Sequence, residues 1–362
     1  MLACAAILGA CTNEPLPREV EEFDGPAPIR FGIDPSFMKS APINSIDGVS
    51  FHVFSKDTTS NLGYRSQYLL YNAPARGQGI SLKLRATQSD ADSTYLYPRG
   101  NDDDFVFWAT NADMEAASGE NNGVYTVDIG QKDILWGKSA APTPLSDPND
   151  ASQTWNTYNF DYAIRASIWY PDNYAFLPKI TLKHILSQLE FRFVAENAAA
   201  EAALAQKISL AGVCVDKPYR KAVLNVWNGS LSSPSSQDTL IVSGSPVAPT
   251  VEGAPFGSVY VYPGETDLKF TYTLSFFNEN TNQTTNWTIP TAIPLPSSIS
   301  FEKGHQYILK ITIKNIDNIQ LFFEDNYIDA DAATFAEGLT FSWEEMGNDN
   351  SNTEIPGTID YE

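Results

Sequence analysis

The chain has 362 residues, 43% of them hydrophobic, and carries 44 acidic against 23 basic side chains, a formal net charge of −21. Length of this order suggests two domains, each able to bury a core without staples. The charge excludes nucleic acid as a partner, because no basic patch is present to displace counterions from phosphate, and it argues against electrostatic docking on anionic lipid. An acidic protein exposed at a surface fits better.

The N-terminus reads as an address. Leu2 to Ala10 form a short apolar run that ends Leu8-Gly9-Ala10-Cys11. Small residues followed by cysteine resemble the lipobox of bacterial lipoproteins, where the signal peptide is cut before a cysteine that then takes lipid. The positive region and longer apolar stretch of a secretory signal are missing, so residues 1–10 are expected to be the remnant of one. Cys11 is the expected lipidation site, and the polar stretch 11–28 the tether of an anchored domain. Acyl chains hold a protein on a membrane at ~0.8 kcal/mol per buried CH₂. The other cysteines do not form a framework: Cys4 lies in the apolar run, and Cys214 reads as a small buried residue in a strand.

Beyond the tether, alternation dominates. Ile29, Phe31 and Ile33 mark a first strand, and Val49, Phe51 and Val53 a second after the turn Ile46-Asp47-Gly48. Further strands are expected at 68–72, 80–86, 95–97, 104–110 and 124–129, with Ala73-Pro74 and a Gly-rich stretch as turns between the first two. Met114 to Ser118 reads as a helical turn, 137–160 as a long loop, and Tyr162 to Tyr170 as a second apolar group. A boundary is placed near Pro178, giving bodies at 29–178 and 179–346 and an acidic tail at 347–362. In the second body Leu182-Lys183-His184 leads into the strand Leu189, Phe191, Phe193. Asn197 to Gln206 is Ala-rich and reads as a short helix between strands. Strands follow at 208–215 and 222–227, with Asn228-Gly229 as a type I′ turn. Segment 231–256 reads as loop with a short strand at 239–242. The clearest alternation runs through Leu268, Phe270, Tyr272, Leu274 and Phe276, then Tyr307, Leu309, Ile311 and Ile313, with His305 in the turn before. The last strands are expected at 319–323 and 339–343. Sheets with one apolar face must cover it, usually with another sheet, so the fold class is all-β: tandem antiparallel sandwiches with short helical inserts.

Chemistry is not visible in this pattern. His52, His184 and His305 lack a His, Cys, Asp or Glu neighbour at metal-ligand spacing. Asp102-Asp103-Asp104 lacks the spacing of a calcium loop and reads as a solvated turn. Nucleophile-elbow, dinucleotide, phosphate-loop and zinc-protease motifs do not occur. No catalytic residue, cofactor or metal is therefore assigned, and the chain is expected not to be an enzyme. Trp136, Trp155, Trp169, Tyr158, Tyr162, Tyr170 and Tyr174 make the middle aromatic-rich. Rings of this kind either pack a core and anchor loops or, if exposed, stack on sugars.

Several stretches resemble the fimbrillin family of Bacteroidales-type bacteria, with its stalk, tip and anchor subunits. They are the lipobox at Cys11, the strands Ile29-Arg30-Phe31 and Ile46 to Phe54, and the strand from Leu182 to Phe193. Phe301-Glu302-Lys303-Gly304-His305-Gln306-Tyr307 with the alternating strand after it, and the closing Phe341-Ser342-Trp343, complete the set. The match is an overall pattern over most of the chain. The resemblance implies two transthyretin-like β-sandwich domains and export as an outer-membrane lipoprotein. It also implies assembly with other fimbrial subunits at the cell surface, with host or bacterial surface ligands as further partners. In polymerising members an Arg-directed protease removes the first strand, and a neighbour's strand fills the groove; that is β-augmentation. Here Arg30 lies within the first strand, and Lys39-Ser40-Ala41 stands where the family often has Arg before Ala. Arg30 and Lys39 are thus the candidate processing positions. The tail 347–362 has almost no apolar alternation and would make a poor donor strand. Both departures point to a tip, accessory or anchor subunit. The alternative reading is a surface lipoprotein that captures glycans on exposed aromatics.

Overall fold

The structure is a computed structural model that describes residues 27–33, 46–58, 70, 72–78, 81–85, 95–99, 104–116, 123–171, 173–288, 292–294, 300–315 and 318–327. The first half contributes β1 (Phe31–Ile33), β2 (Ser50–Asp57), β3 (Ala73–Gln78), β4 (Ser81–Leu84) and β5 (Phe105–Thr110). A hairpin of β6 (Met114–Ala116) and β7 (Val124–Asp128) precedes β8 (Leu135–Ser139). A two-residue pair follows, β9 (Leu145–Ser146) with β10 (Thr154–Trp155), then α1 (Phe160–Trp169) and β11 (Lys179–His184). The second half begins with β12 (Ser187–Ala195), α2 (Ala198–Leu204), β13 (Ile208–Asp216), β14 (Tyr219–Asn225), β15 (Ser230–Gln237) and β16 (Leu240–Ile241). It continues through β17 (Ala254–Val261), β18 (Lys269–Asn278), β19 (Gln283–Thr288), β20 (Ile293–Pro294), β21 (His305–Asn315) and β22 (Asn318–Tyr327).

The all-β expectation holds, but the barrel and one sheet of the second half are mixed rather than antiparallel. In the first half, seven strands close on themselves in the order β1-β11-β8-β5-β2-β3-β4. Closure is made by β1, which pairs antiparallel with β4 and parallel with β11. In the second half the sheet β17-β12-β21-β22 packs on the sheet β16-β13-β18-β19, and its two central strands, β12 and β21, run parallel. Leu189, Phe191 and Phe193 of one sheet share a core with Val213, Val215, Phe270 and Tyr272 of the other, with the Phe191 and Phe270 rings 6.0 Å apart. This half is a sandwich, and here the period-2 reading of β18 is reproduced residue by residue: Phe270, Tyr272, Leu274 and Phe276 are buried.

A third core joins the halves. The hairpin β6–β7 does not pair within the barrel. It pairs with β14 of the second half, in the sheet β15-β14-β7-β6, with Val124 to Asp128 opposite Asn225 to Lys221. This sheet lies on the outside of the barrel. Phe51, Val53, Phe107 and Leu135 point into the barrel. Their neighbours Phe54, Trp108 and Trp136 point outward, onto Tyr125, Val127, Ala222, Leu224 and Val226. A strand buried on both faces loses its alternation, which explains the nearly continuous apolar run Phe105 to Ala109. The boundary expected at Pro178 is accordingly displaced: β11 belongs to the barrel, paired with β8 and β1, and the chain passes to the second body through Ile185 and Leu186, both buried in the joint.

Several local expectations are corrected. Ala73-Pro74 opens β3 instead of turning, and Met114 starts a strand, not a helical turn. Within 137–160 the chain forms β8, β9 and β10, and the apolar group at 162–170 is helix α1. Asn159 caps that helix by accepting from the Tyr162 amide at 2.9 Å, and Asp161 sits in its first turn, where a negative charge is favourable. The Ser/Pro-rich start of 231–256 is β15, an edge strand. The β14–β15 link is a four-residue loop, not a type I′ turn. Only Gly229 is left-handed, at φ 67°, and its amide donates to the Asn225 carbonyl at 2.9 Å. The loop is long because Val226 enters the joint and its carbonyl accepts from Trp136 Nε1 at 2.8 Å. A Cβ on Gly229 would lie 2.5 Å from the Trp136 ring. A register shift between Leu210 and Gly212 moves Cys214 to the outer face of β13, opposite Thr271, so it is half-buried instead of in the core. His305 opens β21. Residues 339–343 and the tail 347–362 lie outside the described residues.

The alternating segment after Lys303-Gly304 has a local cause. Gly304 turns at φ 77° and its amide reaches the Leu186 carbonyl at 3.0 Å. The buried Tyr307 hydroxyl accepts from the Glu302 amide at 2.7 Å and donates to the Ser300 carbonyl at 3.1 Å. The motif therefore ties the end of the sandwich to the joint.

Glu265 ties it again. Its Oε1 accepts from the Tyr219 amide at 2.9 Å at the start of β14, while its buried Oε2 has no partner. Burial pushes this carboxyl up to about 7, against the pull of backbone hydrogen bonds from Tyr219 and Tyr262. A carboxyl harder to ionise in the folded chain than in the unfolded one favours folding most at acid pH. Stability should fall as pH rises from the ordinary carboxylate range through about 7. Glu265→Gln should flatten this dependence in urea titrations at a series of pH values; an unchanged slope would show that the carboxyl ionises freely.

Candidate assembly site

Segment 27–33 is a plug. Ala27, Ile29, Phe31 and Ile33 are each at most 6% exposed, and Arg30 between them faces solvent. Its backbone is held along both sides. On one side Phe31 and Gly32 face Leu82 and Ser81 of β4, and Gly32 and Ile33 face Lys179 and Ile180 of β11 on the other. Before β1 begins, the Ile29 amide donates to the Tyr95 carbonyl at 2.8 Å and the Tyr97 amide to the Ala27 carbonyl at 2.9 Å. The Gly32 amide donates to Pro178 at 3.0 Å.

The pocket it fills is aromatic. Phe31 meets Phe107 edge-on at 5.1 Å, and Phe107 in turn touches Tyr97 at 6.1 Å and Tyr158 at 6.3 Å. Tyr158 meets Tyr162 of α1 edge-on at 5.5 Å, and the Tyr162 hydroxyl donates to the Thr143 carbonyl at 2.8 Å. Burial pushes the Tyr158 phenol up to about 12 and raises those of Tyr97 and Tyr162 further. Burying Ile29, Phe31 and Ile33 contributes roughly 1.5–3 kcal/mol each. Without the plug, β4 and β11 would each present an unpaired edge beside an apolar pocket.

Of the expected processing positions, Lys39 lies outside the described residues, as does Cys11 with its lipobox. Arg30 sits inside the plug, between two residues whose amides are bonded, Ile29 and Gly32. A cut after Arg30 would leave Phe31–Ile33 in place, whereas a cut between β1 and β2 would separate the whole plug.

The aromatic middle resolves into packing. Trp136, Tyr158 and Tyr162 are buried. Trp155 and Trp169 meet edge-on at 5.5 Å, and the Arg165 guanidinium lies 4.0 Å over the Trp155 ring and 5.6 Å from that of Trp169. Tyr170 stacks on Phe176 at 4.5 Å. These contacts seat α1 and the β9–β10 loop on the barrel.

Sequence reasoning missed one buried pair. His184 Nδ1 is hydrogen-bonded to Asp133 Oδ2, both side chains 1% exposed, at the joint of the bodies. The two are 51 positions apart, so no local spacing could announce them. Burial lowers the His52 pKa, with opposing pulls from Asn72 and Asp113, and His305 lies 3.4 Å from Glu302. Among the described residues no group of three or more His, Cys, Asp or Glu side chains is placed to hold a metal ion, and no described helix is long and apolar enough to cross a membrane.

The geometry defines a class: a two-body all-β protein whose barrel is closed by a peripheral, apolar first strand. Comparison places it more closely. A family profile described as fimbrillin-like matches residues 79–324, and the chain belongs to that family. Among solved structures, a candidate cell adhesion protein from Bacteroides uniformis is similar at 15% identity and a TM-score of 0.48, over 84% of this chain and 98% of that one. Another from Bacteroides ovatus is similar at 14% identity and a TM-score of 0.44, over 83% and 95%. A fimbrial assembly protein from Parabacteroides distasonis is similar at 14% identity and a TM-score of 0.42, over 82% and 95%. Comparison with curated proteins gave no match.

If β1 is the plug that closes the barrel, Phe31→Ala should lower the unfolding free energy by about 3–5 kcal/mol, the usual range for emptying a buried Phe site. Urea denaturation measures this, and a loss below about 1 kcal/mol would show a side chain that contributes little.

Proposed function

We propose that the chain is a cell-surface fimbrial subunit of the tip, accessory or anchor kind, exported as an outer-membrane lipoprotein on Cys11. In this reading it is joined to its neighbours by strand donation at the slot between β4 and β11. Its two bodies are variants of the transthyretin-like sandwich, the first closed into a barrel by β1. Its work is joining, not catalysis.

The observation that carries the reading is the plug. A short apolar strand, the first among the described residues and paired on both edges, fills a slot whose vacancy would expose two backbone edges and several apolar pockets. A neighbour's strand satisfies the same requirements by the same contacts. Membership of the fimbrillin-like family supports the fimbrial context. The processing position this reading favours is Lys39, since a cut there lies between β1 and β2. The glycan-capturing alternative needs bare ring faces at Trp155 and Trp169, and Arg165 covers one at Trp155.

The lipid arm is tested in cells of the native host. Metabolic labelling with a fatty acid should mark the chain before a cut at Lys39 separates it from Cys11, and Cys11→Ser should abolish the label and release that uncut form from the membrane fraction. A Cys11→Ser chain that keeps its label and its membrane association would overturn the anchor.

A further inference from the structure

An open sheet edge invites pairing with another chain, and proteins blunt such edges with charge, proline, bulges or brevity. The edges of this structure can be inspected one by one. The barrel is closed. Edge strand β15 carries Pro234, left-handed Ser233 and Ser236, and a register shift against β14. Strand β6 is three residues long, and its Glu115 is paired with Lys221 at 3.1 Å. Strand β17 contains Pro255 and a register shift opposite Phe191/Arg192. Strand β22 carries Glu324 and Asp325, and β9, β10, β16 and β20 are two residues each. That leaves β19, Gln283-Thr284-Thr285-Asn286-Trp287-Thr288. It pairs with β18 in unbroken register from Thr273↔Thr288 to Asn278↔Gln283. Every residue but Trp287 is exposed. Among the described residues it is the one edge strand longer than three residues with no charge, proline or bulge.

We propose that β19 is a self-association edge, pairing antiparallel with β19 of a second copy of this chain about a two-fold axis at Asn286. The choice of occupant follows from charge and from symmetry. A contact between identical copies sets each patch against itself, so it must be self-complementary. At a charged edge of a chain with net charge −21, like charges would meet. At β19 none do. Thr hydroxyls and the Asn amide both donate and accept, so they pair with their own kind. In an antiparallel pair, opposite residues share a face, which restricts the axis to pass through a residue. Placing it at Asn286 sets Thr284 opposite Thr288 on the outer face. That pairing would extend outward the hydroxyl contact already present between Thr273 and Thr288, at 2.7 Å. Sheet β16-β13-β18-β19 would continue from one copy into the next. The edge lies in the second body, so this contact does not use the β1 slot and stands apart from strand donation.

Sedimentation of the purified full chain tests it. In moderate salt, which screens the net charge, the mass should rise with concentration to twice that of one chain. Asn286→Lys, at an exposed position, should keep the parent's melting curve and lose the dimer, because two like charges would face each other across the axis. Asn286→Asp should also lose it, and an equimolar mixture of the two variants should restore the doubled mass. A chain that stays at single mass, a dimer indifferent to Asn286→Lys, or a mixture that stays single would overturn the proposal.

Discussion

The barrel is closed by a strand that belongs to it only through pairing and packing. Phe31, Ile29 and Ile33 lie in the barrel core, and their backbone bridges β4 and β11. A closed sheet has no edge to protect, and here closure rests on seven residues at the beginning of the described chain. Much of the first body is arranged around that fact. Phe107 turns inward to meet Phe31, and Tyr97 and Tyr158 wall the pocket. Helix α1 lies over the cluster through Tyr162, with Trp155, Arg165 and Trp169 seating its outer side. The same contacts that make the plug stable would make a suitable guest strand stable, and this equivalence is the physical basis of the functional reading.

The two bodies are not independent beads. The outer wall of the barrel at Phe54, Trp108 and Trp136 is covered by a sheet to which each half contributes a hairpin. Trp136 Nε1 holds the Val226 carbonyl, Lys303 Nζ reaches the Gly229 carbonyl at 3.2 Å, and Glu265 holds the Tyr219 amide. The buried His184–Asp133 pair lies in the same seam. The β1 slot thus lies on a body whose back is fixed, as the proposed exchange of one strand would require.

What the sequence disclosed, it disclosed through period. The strand at 269–278 alternates between a dry face and a wetter one. The strands at 29–33, 50–57, 187–195 and 305–315 alternate in residue type over most of their length, although Phe54, Gln188, Ile308 and Thr312 on the second face are buried too, so these could be seen directly. The short helix at Ala198–Leu204 could be read from its alanines, with Asn197 as cap. Where both faces are buried, as at Phe105 to Ala109, alternation vanished and only an apolar strand could be inferred. Helix α1 was hidden because Tyr162, Ile164, Ile168 and Trp169 are poor helix formers, and the deciding signal, the Asn159 cap, is a single side chain. The four-residue loop that ends at Gly229 followed from the demand of Trp136 for the Val226 carbonyl, a contact 90 positions away. The pairing of β7 with β14 and the place of β11 in the barrel are likewise long-range, and neither leaves a mark in local sequence. For the site, the apolar residues of the plug could be read as a strand, but its role in closing a barrel could not.

The central claim is that residues 27–33 occupy a slot which, in the joined form, holds a strand from a neighbouring subunit. Mass spectrometry of the surface-assembled protein, digested after release from the cell, tests it most directly. The account predicts that peptides covering 27–33 are lost from the joined form, and that a peptide of another subunit cross-links to β4 and β11 in their place. Recovery of 27–33 in full yield, still cross-linked to β4 and β11 within the assembled subunit, would contradict it.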